Sequence, residues 1–434
     1  MKRTTAGCHT RRMPLPPRTA GRGRPARRSE RRALANRTIP AQTRVIGRAD
    51  GPCKPGHRPH AASAAFGNDP DPRGAYRTCD GCADPRPPKS APEPSPERVM
   101  TIPETPPPPN TWPRFDDTDV LRARGARRML PLDRPNGYFL ELEPAADGRL
   151  ERVATILLTN RECPLRCTMC DLWKNTIPFR TPRGAIPQQI RFALNRLPPT
   201  RVVKLYNSGN FFDPLAIPPD DHPAILRLLK HCRRLIVENH PRFCGARCLA
   251  FAERLAGTLE VAIGLETAHP DVLARLNKRM TLHDFRRATE LLRSHEIDVR
   301  AFVLLQPPFL FGETAVQWAV RTVRFAFDCG AVCCSIIPTR GGDGLMRKLQ
   351  REGWFRPPTL AQLESVVARC VDRVPGRVFV DLWDIRNLLR PKPSPQCRTA
   401  SATLPIGDGC PGCIACGPPR IARLRHWNLH QTLE

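Results

Sequence analysis

The chain has 434 residues, with 69 Lys and Arg against 41 Asp and Glu, a formal net charge of +28. That length holds roughly one large or two ordinary domains, and 40% hydrophobic residues suffice for a sizeable core, so wholesale disorder is excluded. No apolar run reaches the 18 residues of a membrane-spanning helix, and the opening residues are arginine- and proline-rich rather than an apolar signal region.

Residues 1–99 read as a basic, low-complexity extension. Residues 1–100 carry a net charge of +13, and 21 of the 50 prolines fall within residues 1–110. Such a composition buries too little apolar surface to order itself. It suits a nucleic-acid-binding arm, an organelle transit peptide, or translated sequence upstream of a true start at Met100. The chain holds 18 cysteines. With no secretion signal, these are expected to serve metal in a reducing cytoplasm rather than form disulfides. Cys79-Asp80-Gly81-Cys82 has zinc spacing but no partner pair nearby and reads as incidental, as do Cys8 and Cys53.

After a lead-in over 100–150, a core domain is expected over 151–390, followed by a Cys-rich segment over 391–434. Apolar, β-branched runs predict strands over 154–159, 202–207, 235–239, 259–266, 299–306, 332–339 and 378–383. Amphipathic stretches predict helices over 223–234, 246–256, 282–295, 314–328 and 360–373. Thr281 with Asp284, and Thr359 with Gln362, have capping-box spacing. Alternating strands and helices imply an α/β fold with a parallel sheet, and six or seven repeats suit a full or partial barrel. Function in such folds sits on the loops after the carboxyl ends of the strands.

The first such loop contains Cys163, Cys167 and Cys170. Three soft thiolates at this spacing can converge on one iron–sulfur cube and leave one iron open to a small molecule. A zinc knuckle is the bland alternative, but zinc sites favour a second cysteine pair close by, and none follows. The CxxxCxxC spacing in the first βα loop resembles that of the radical SAM superfamily. Met169 stands where an aromatic residue is usual; a thioether can also pack against an adenine face. More of the chain, over roughly 150–390, is similar to the radical SAM subunit of archaeosine synthase and its bacterial relatives. The likeness covers 163–176, 204–213, 237–241, 263–267, 276–279 and 302–309.

The resemblance implies a partial (β/α) barrel, a 4Fe–4S cluster on Cys163, Cys167 and Cys170, and S-adenosylmethionine (SAM) on the open iron. Reductive cleavage of SAM would then yield a 5′-deoxyadenosyl radical. The resemblance further implies a lyase that cleaves a C–N bond in a lysine-modified deazaguanine of tRNA. Its partners would be tRNA, an electron donor such as flavodoxin or ferredoxin, and a tRNA-modifying partner subunit. Two other readings are kept: a radical SAM enzyme that inserts sulfur into RNA, and a non-catalytic RNA-binding zinc protein.

At the other strand ends, Asn207, Ser208, Gly209 and Asn210 stand where the superfamily holds the SAM amino group; a plain β-turn is the alternative. Glu266 suits ribose hydroxyls, or a salt bridge to a helix. Glu238, Asn239 and His240 suit SAM, substrate or proton transfer. Arg300 and Gln306 border the fifth predicted strand and Arg340 follows the sixth, where an arginine suits a carboxylate or phosphate. Near the end, Cys397, Cys410, Cys413 and Cys416 suit zinc or a second iron–sulfur cluster. Cys244 and Cys248 are further candidate ligands, while Cys333 and Cys334 read as core. The stretch Arg420 to Trp427 offers charge beside an aromatic, suited to RNA with one stacked base or to a solvated helix face.

Overall fold

The computed structural model describes residues 108–371, 373–390, 397 and 410–432. The basic extension, with Cys8, Cys53, Cys79 and Cys82, and the candidate start at Met100 lie outside the described residues. A single eight-stranded sheet runs in sequence order from β1 to β8. Its members are β1 (Gly137–Pro144), β2 (Leu150–Leu157), β3 (Val202–Tyr206), β4 (Arg234–Asn239), β5 (Thr258–Glu266), β6 (Asp298–Leu305), β7 (Cys333–Pro338) and β8 (Arg377–Val380). From β2 onward every neighbour is parallel. This is the partial β/α barrel, with all seven expected strands in place. The expected 378–383 strand stops at Val380, because Asp381 turns its carboxylate onto the Trp383 N–H at 2.8 Å.

An eighth strand lies in the lead-in. β1 forms a hairpin with β2, registered from Gly137 opposite Leu157 to Pro144 opposite Leu150. The turn closes through Ala145 N–H to the Arg149 carbonyl at 2.8 Å, with Gly148 at φ 78°. Only glycine holds that left-handed backbone without strain.

The helices are α1 (Asp117–Arg122), α2 (Ala185–Leu194), α3 (His222–Leu228), α4 (Ala246–Ala252), α5 (Pro270–Arg275), α6 (Leu282–Arg293), α7 (Gly312–Asp328), α8 (Leu345–Arg351), α9 (Leu360–Cys370) and α10 (Gly417–His430). Both expected capping boxes form, at Thr281 with Asp284 and at Thr359 with Gln362. The helices cover one face of the sheet. Val203, Leu205, Val237, Val261, Ile263, Val299, Ala301 and Val303 point to that face and share one buried cluster with Phe285, Val323 and Leu363. Cys244, Cys248 and Cys334 belong to the same cluster, and Cys333 is also fully buried. Cys244 and Cys248 are therefore core residues, and among the described residues no group of three or more candidate ligands includes them.

The intervening residues face the concave side, where Val153, Val202 and Ile236 form a small apolar cluster beside buried ion pairs. The Arg300 guanidinium forks onto Glu143 at 2.9 and 3.0 Å and reaches Glu260 at 2.6 Å. Lys204 bonds Glu141 at 2.8 Å and also Glu143. Arg300 thus lies near the start of β6, away from the strand ends. Its donors are spent on two buried carboxylates, so it cannot serve as a rim arginine for substrate.

α10 closes the far edge. A parallel edge strand exposes unpaired N–H and C=O groups. Gln431 accepts from Val378 N–H, Asn428 both accepts from and donates to Val380, and Trp427 Nε1 donates to the Val378 carbonyl, each at 2.8 Å. Trp427 is 3% exposed. The aromatic of the basic C-terminal stretch is therefore edge-capping core, and cannot stack a base.

Removing one partner of a buried ion pair strands the other charge. Arg300→Leu should therefore cost about 3–5 kcal/mol in urea unfolding. Arg149→Leu, which removes an exposed pair with Asp147, should stay within about 0.5 kcal/mol. Equal losses would overturn the view that the ionic interior holds the sheet.

Candidate active site

The β2–α2 loop holds Cys163, Cys167 and Cys170 beside the strand ends, and its shape is fixed from several sides. Gln189 of α2 bonds both the N–H and the carbonyl of Thr159 at 2.8 Å. Glu162 gathers Arg124 at 2.6 Å, Arg166 at 2.9 Å and Arg127. Thr168 N–H donates to the Leu276 carbonyl at 2.9 Å, and Asn277 donates to the Arg166 carbonyl at 2.8 Å. The loop thus leans on the segment after α5.

Burial pushes the Cys167 thiol up to about 11 and raises Cys163 and Cys170 as well. Without a cation these groups are neutral thiols; a bound metal deprotonates a coordinating thiol outright. The Asn210 amide lies 3.2 Å from the Cys163 sulfur. Among the described residues, only the C-terminal tetrad brings three or more such ligand atoms all within 4.8 Å of one another. Three cysteines on one loop can still each take their own iron of a cube. Three thiolates with a cationic neighbour form a donor set that fits an anionic iron–sulfur cluster.

That cationic neighbour is Lys278, to which the sequence assigned no role. Burial opposes its charge, yet the Glu266 carboxylate holds its ammonium above the usual range. Lys278 Nζ lies 2.6 Å from Glu266 Oε1, so the salt bridge expected as an alternative for Glu266 is present, to a loop lysine rather than a helix. A Cβ at Gly264 would stand 2.2 Å from Glu266 Oε1 and 2.6 Å from Lys278 Nζ. A methyl group there would push the tips of both side chains aside. His240 supports the same segment. Its Nδ1 accepts from Arg242 N–H at 3.1 Å, which leaves Nε2 to donate to the Lys278 carbonyl at 3.2 Å. Burial pushes its pKa down to about 3, so His240 is a neutral brace rather than a proton donor.

Asn207, Ser208 and Gly209 form the turn after β3, with Ser208 at φ 51°. Glu238 sits beneath it and accepts from Asn207 N–H at 2.5 Å and from Gly209 N–H at 3.4 Å. Burial nevertheless pushes its carboxyl up to about 7. Asn239 accepts from Phe212 N–H at 3.4 Å and donates to the Cys244 sulfur at 3.3 Å. Gln306 bonds the Arg356 and Pro357 carbonyls and Gln362. Arg340 reaches Asp381 at 2.5 Å and the Trp383 carbonyl at 2.7 Å. Beside Cys170, a cavity of about 640 Å³ opens between Asp171, Lys174 and the Gly341–Arg351 stretch.

Residues 157–321, from the end of β2 into α7, match the family model of the radical SAM superfamily. The chain carries a radical SAM domain. That family implies a 4Fe–4S cluster and SAM, and favours an enzyme over a non-catalytic zinc protein. An uncharacterized protein of Methanocaldococcus jannaschii is 21% identical, covering 56% of this chain and 70% of its own length. Two proteins named archaeosine synthase subunit beta are similar as well. That of Methanosarcina acetivorans is 28% identical over 39% of this chain and 51% of its own. That of Thermococcus kodakarensis is 26% identical over 49% and 68%. The chain thus spans about half the length of the Methanosarcina relative. Among solved structures, Elp3 of Methanocaldococcus infernus aligns at 18% identity and TM-score 0.40, covering 56% of this chain and 57% of that one. Among the described residues no helix is long and apolar enough to cross a membrane.

Glu238 generates a pH prediction. Its folded value, about 7, lies above the ordinary 4.5. Its contribution to stability is therefore complete below pH 4.5 and lost as pH rises through 7, by about 3 kcal/mol at most. Glu238→Gln should flatten urea stability between pH 5 and 8 relative to wild type; identical pH slopes would rule out this role. Separately, Gly264→Ala should unfold at markedly lower urea, by roughly 1–3 kcal/mol, the cost of overpacking.

Proposed function

We propose that this protein is a radical SAM lyase that cleaves a C–N bond in a lysine-modified deazaguanine of tRNA. The observation that carries the radical chemistry is the cysteine triad in the first βα loop of a radical SAM domain. The substrate class rests on the two relatives named archaeosine synthase subunit beta. That name also supports a tRNA-modifying partner subunit.

Cys163, Cys167 and Cys170 would hold the cluster. When bound, the cluster and SAM would supply one-electron chemistry able to start C–N cleavage on the lysine side chain. The Asn210 amide, 3.2 Å from the Cys163 sulfur, and the Lys278 ammonium stabilise the thiolates. The Asn207–Asn210 turn offers carbonyls and the Glu238 carboxylate to an ammonium group, and a bound cation there favours the ionised carboxylate. Glu266 keeps its second oxygen for a hydroxyl donor while the first is held by Lys278. The electron arrives from a small reductant protein of the flavodoxin or ferredoxin kind.

Anaerobically reconstituted protein, given dithionite, SAM and tRNA bearing the lysine-modified base, should release 5′-deoxyadenosine and a lysine-derived fragment in equal amounts. The Cys163→Ala/Cys167→Ala/Cys170→Ala variant should release neither. Deoxyadenosine without any lysine fragment or change in tRNA mass would sink the substrate while leaving the radical chemistry. No deoxyadenosine from iron-loaded wild type would sink both.

A further inference from the structure

We infer that Cys397, Cys410, Cys413 and Cys416 bind one zinc ion, and that this ion is a clamp fastening α10 across the free edge of β8. The inference does not depend on the tRNA substrate.

The sulfur spacing decides between a single ion and a cube, and zinc is the usual ion of a closed four-thiolate site. Cys413 Sγ lies 3.4 Å from Cys397 Sγ and 3.7 Å from Cys416 Sγ, and Cys416 Sγ lies 3.7 Å from Cys410 Sγ. All four sulfurs fall within 4.8 Å of one another. Four thiolates around one zinc, at a Zn–S distance of about 2.3 Å, stand about 3.8 Å apart along each edge of the tetrahedron. A cube instead binds each thiolate at a different iron. Its sulfurs are separated by the iron–iron spacing plus two outward bonds, well beyond what this tetrad permits. The set is closed, with four protein ligands and no position left for substrate, as in structural rather than catalytic zinc sites.

The surroundings are built for the ion as well. Arg420 donates to the Cys410 carbonyl at 2.9 Å and to the Cys416 sulfur at 3.5 Å, while Glu364 of α9 holds the same guanidinium at 3.0 Å. Four thiolates around a divalent ion leave a net double negative charge, and the guanidinium puts a positive group beside one of the sulfurs; ligands held by such outer contacts stay oriented. Gly412, at φ 113°, lets the loop lie against α9, where a Cβ would stand 2.7 Å from the Leu360 Cβ. Arg390 and Ile414 complete a bridge between the loop and the chain leaving β8.

The position gives the clamp its purpose. Cys416 immediately precedes α10, whose Trp427, Asn428 and Gln431 satisfy the outer backbone groups of Val378 and Val380. One ion thus ties the start of the edge-capping helix to Cys397, to α9 and to the segment after β8. A sacrificial sulfur-donating cluster at this tetrad, as the sulfur-insertion reading requires, is incompatible with the single ion.

The test uses the full-length Cys163→Ala/Cys167→Ala/Cys170→Ala variant, in which the tetrad is the remaining metal set under study. Metal and sulfide analysis should give about one zinc per chain without acid-labile sulfide, and cobalt(II) substitution should give the intense visible bands of a tetrahedral thiolate site. Iron in place of zinc, with or without sulfide, or no bound metal, overturns the zinc assignment. Adding Cys413→Ser/Cys416→Ser should remove the zinc. Should that variant not fold, the zinc is instead stripped from the parent variant with a chelator and amide exchange is followed. Val378 and Val380 should exchange roughly tenfold faster or more, with Val261 in the sheet centre unchanged. Unchanged exchange at Val378 and Val380 overturns the clamp.

Discussion

An incomplete barrel has features that a closed one lacks: an open concave face and two strand edges with unpaired backbone. Much of this structure answers that constraint. The concave face is filled by the long side chains of the strands themselves, and the Glu143–Arg300–Glu260 and Lys204–Glu143 pairs satisfy one another there. Long ionic side chains reach across a gap that short apolar ones would leave open, but each is costly unless fully partnered. At the β8 edge, side chains of α10 imitate a ninth strand, and the same helix packs against β1 at the other edge.

Parallel strands bring their carboxyl ends to one rim, and the site uses irregular backbone there. Ser208, Glu266, Asn277 and Arg279 all take positive φ, between 48° and 66°. Non-glycine residues in that region cost free energy and persist where the surroundings over-determine them. Here the determinants are visible. Glu238 holds the Ser208 turn by its flanking N–H groups, Lys278 holds Glu266, and His240 and Asn277 hold the segment around Lys278. Glu238 and Lys278 lie far apart in sequence from the cysteine loop, yet both condition it: one shapes the facing turn, the other adds positive charge beside the thiolates.

The strands and the cysteine loop were legible because each is a local pattern: short β-branched runs, capping-box spacing, and soft ligands three and two residues apart. What escaped was set by partners distant in sequence. β1 alternates only weakly, since its partner supplies the pairing and its polar residues Glu141 and Glu143 face the ionic interior. Arg300 looked like a rim residue because its carboxylate partners lie 40 and 157 positions away. Trp427 looked like a stacking platform because its acceptor, the Val378 carbonyl, lies 49 positions away. Lys278 carried no signal of its own, as nothing local shows that it points at Glu266 and the cysteines. The tetrad was legible as a metal site, but its metal was not, since spacing along the chain does not fix spacing between sulfurs.

The charge of the rim is less available than the composition suggests. Arg124, Arg127 and Arg166 converge on one largely buried carboxylate, Glu162, and hold the cysteine loop. Releasing them to an outside anion would strand that carboxylate, a cost of several kcal/mol. Lys174 and Arg347 share Asp343, and Arg340 pairs with Asp381, all at partly exposed positions. Pairs of that kind are worth about 0–1 kcal/mol and exchange readily with another anion. Lys174 and Arg347, which line the cavity between the cysteine loop and the β7–α8 connection, are therefore easier to lend to a ligand than the arginines gathered on Glu162. The loop arginines act inward instead, keeping three buried thiols in place beside a lysine, whatever approaches the rim.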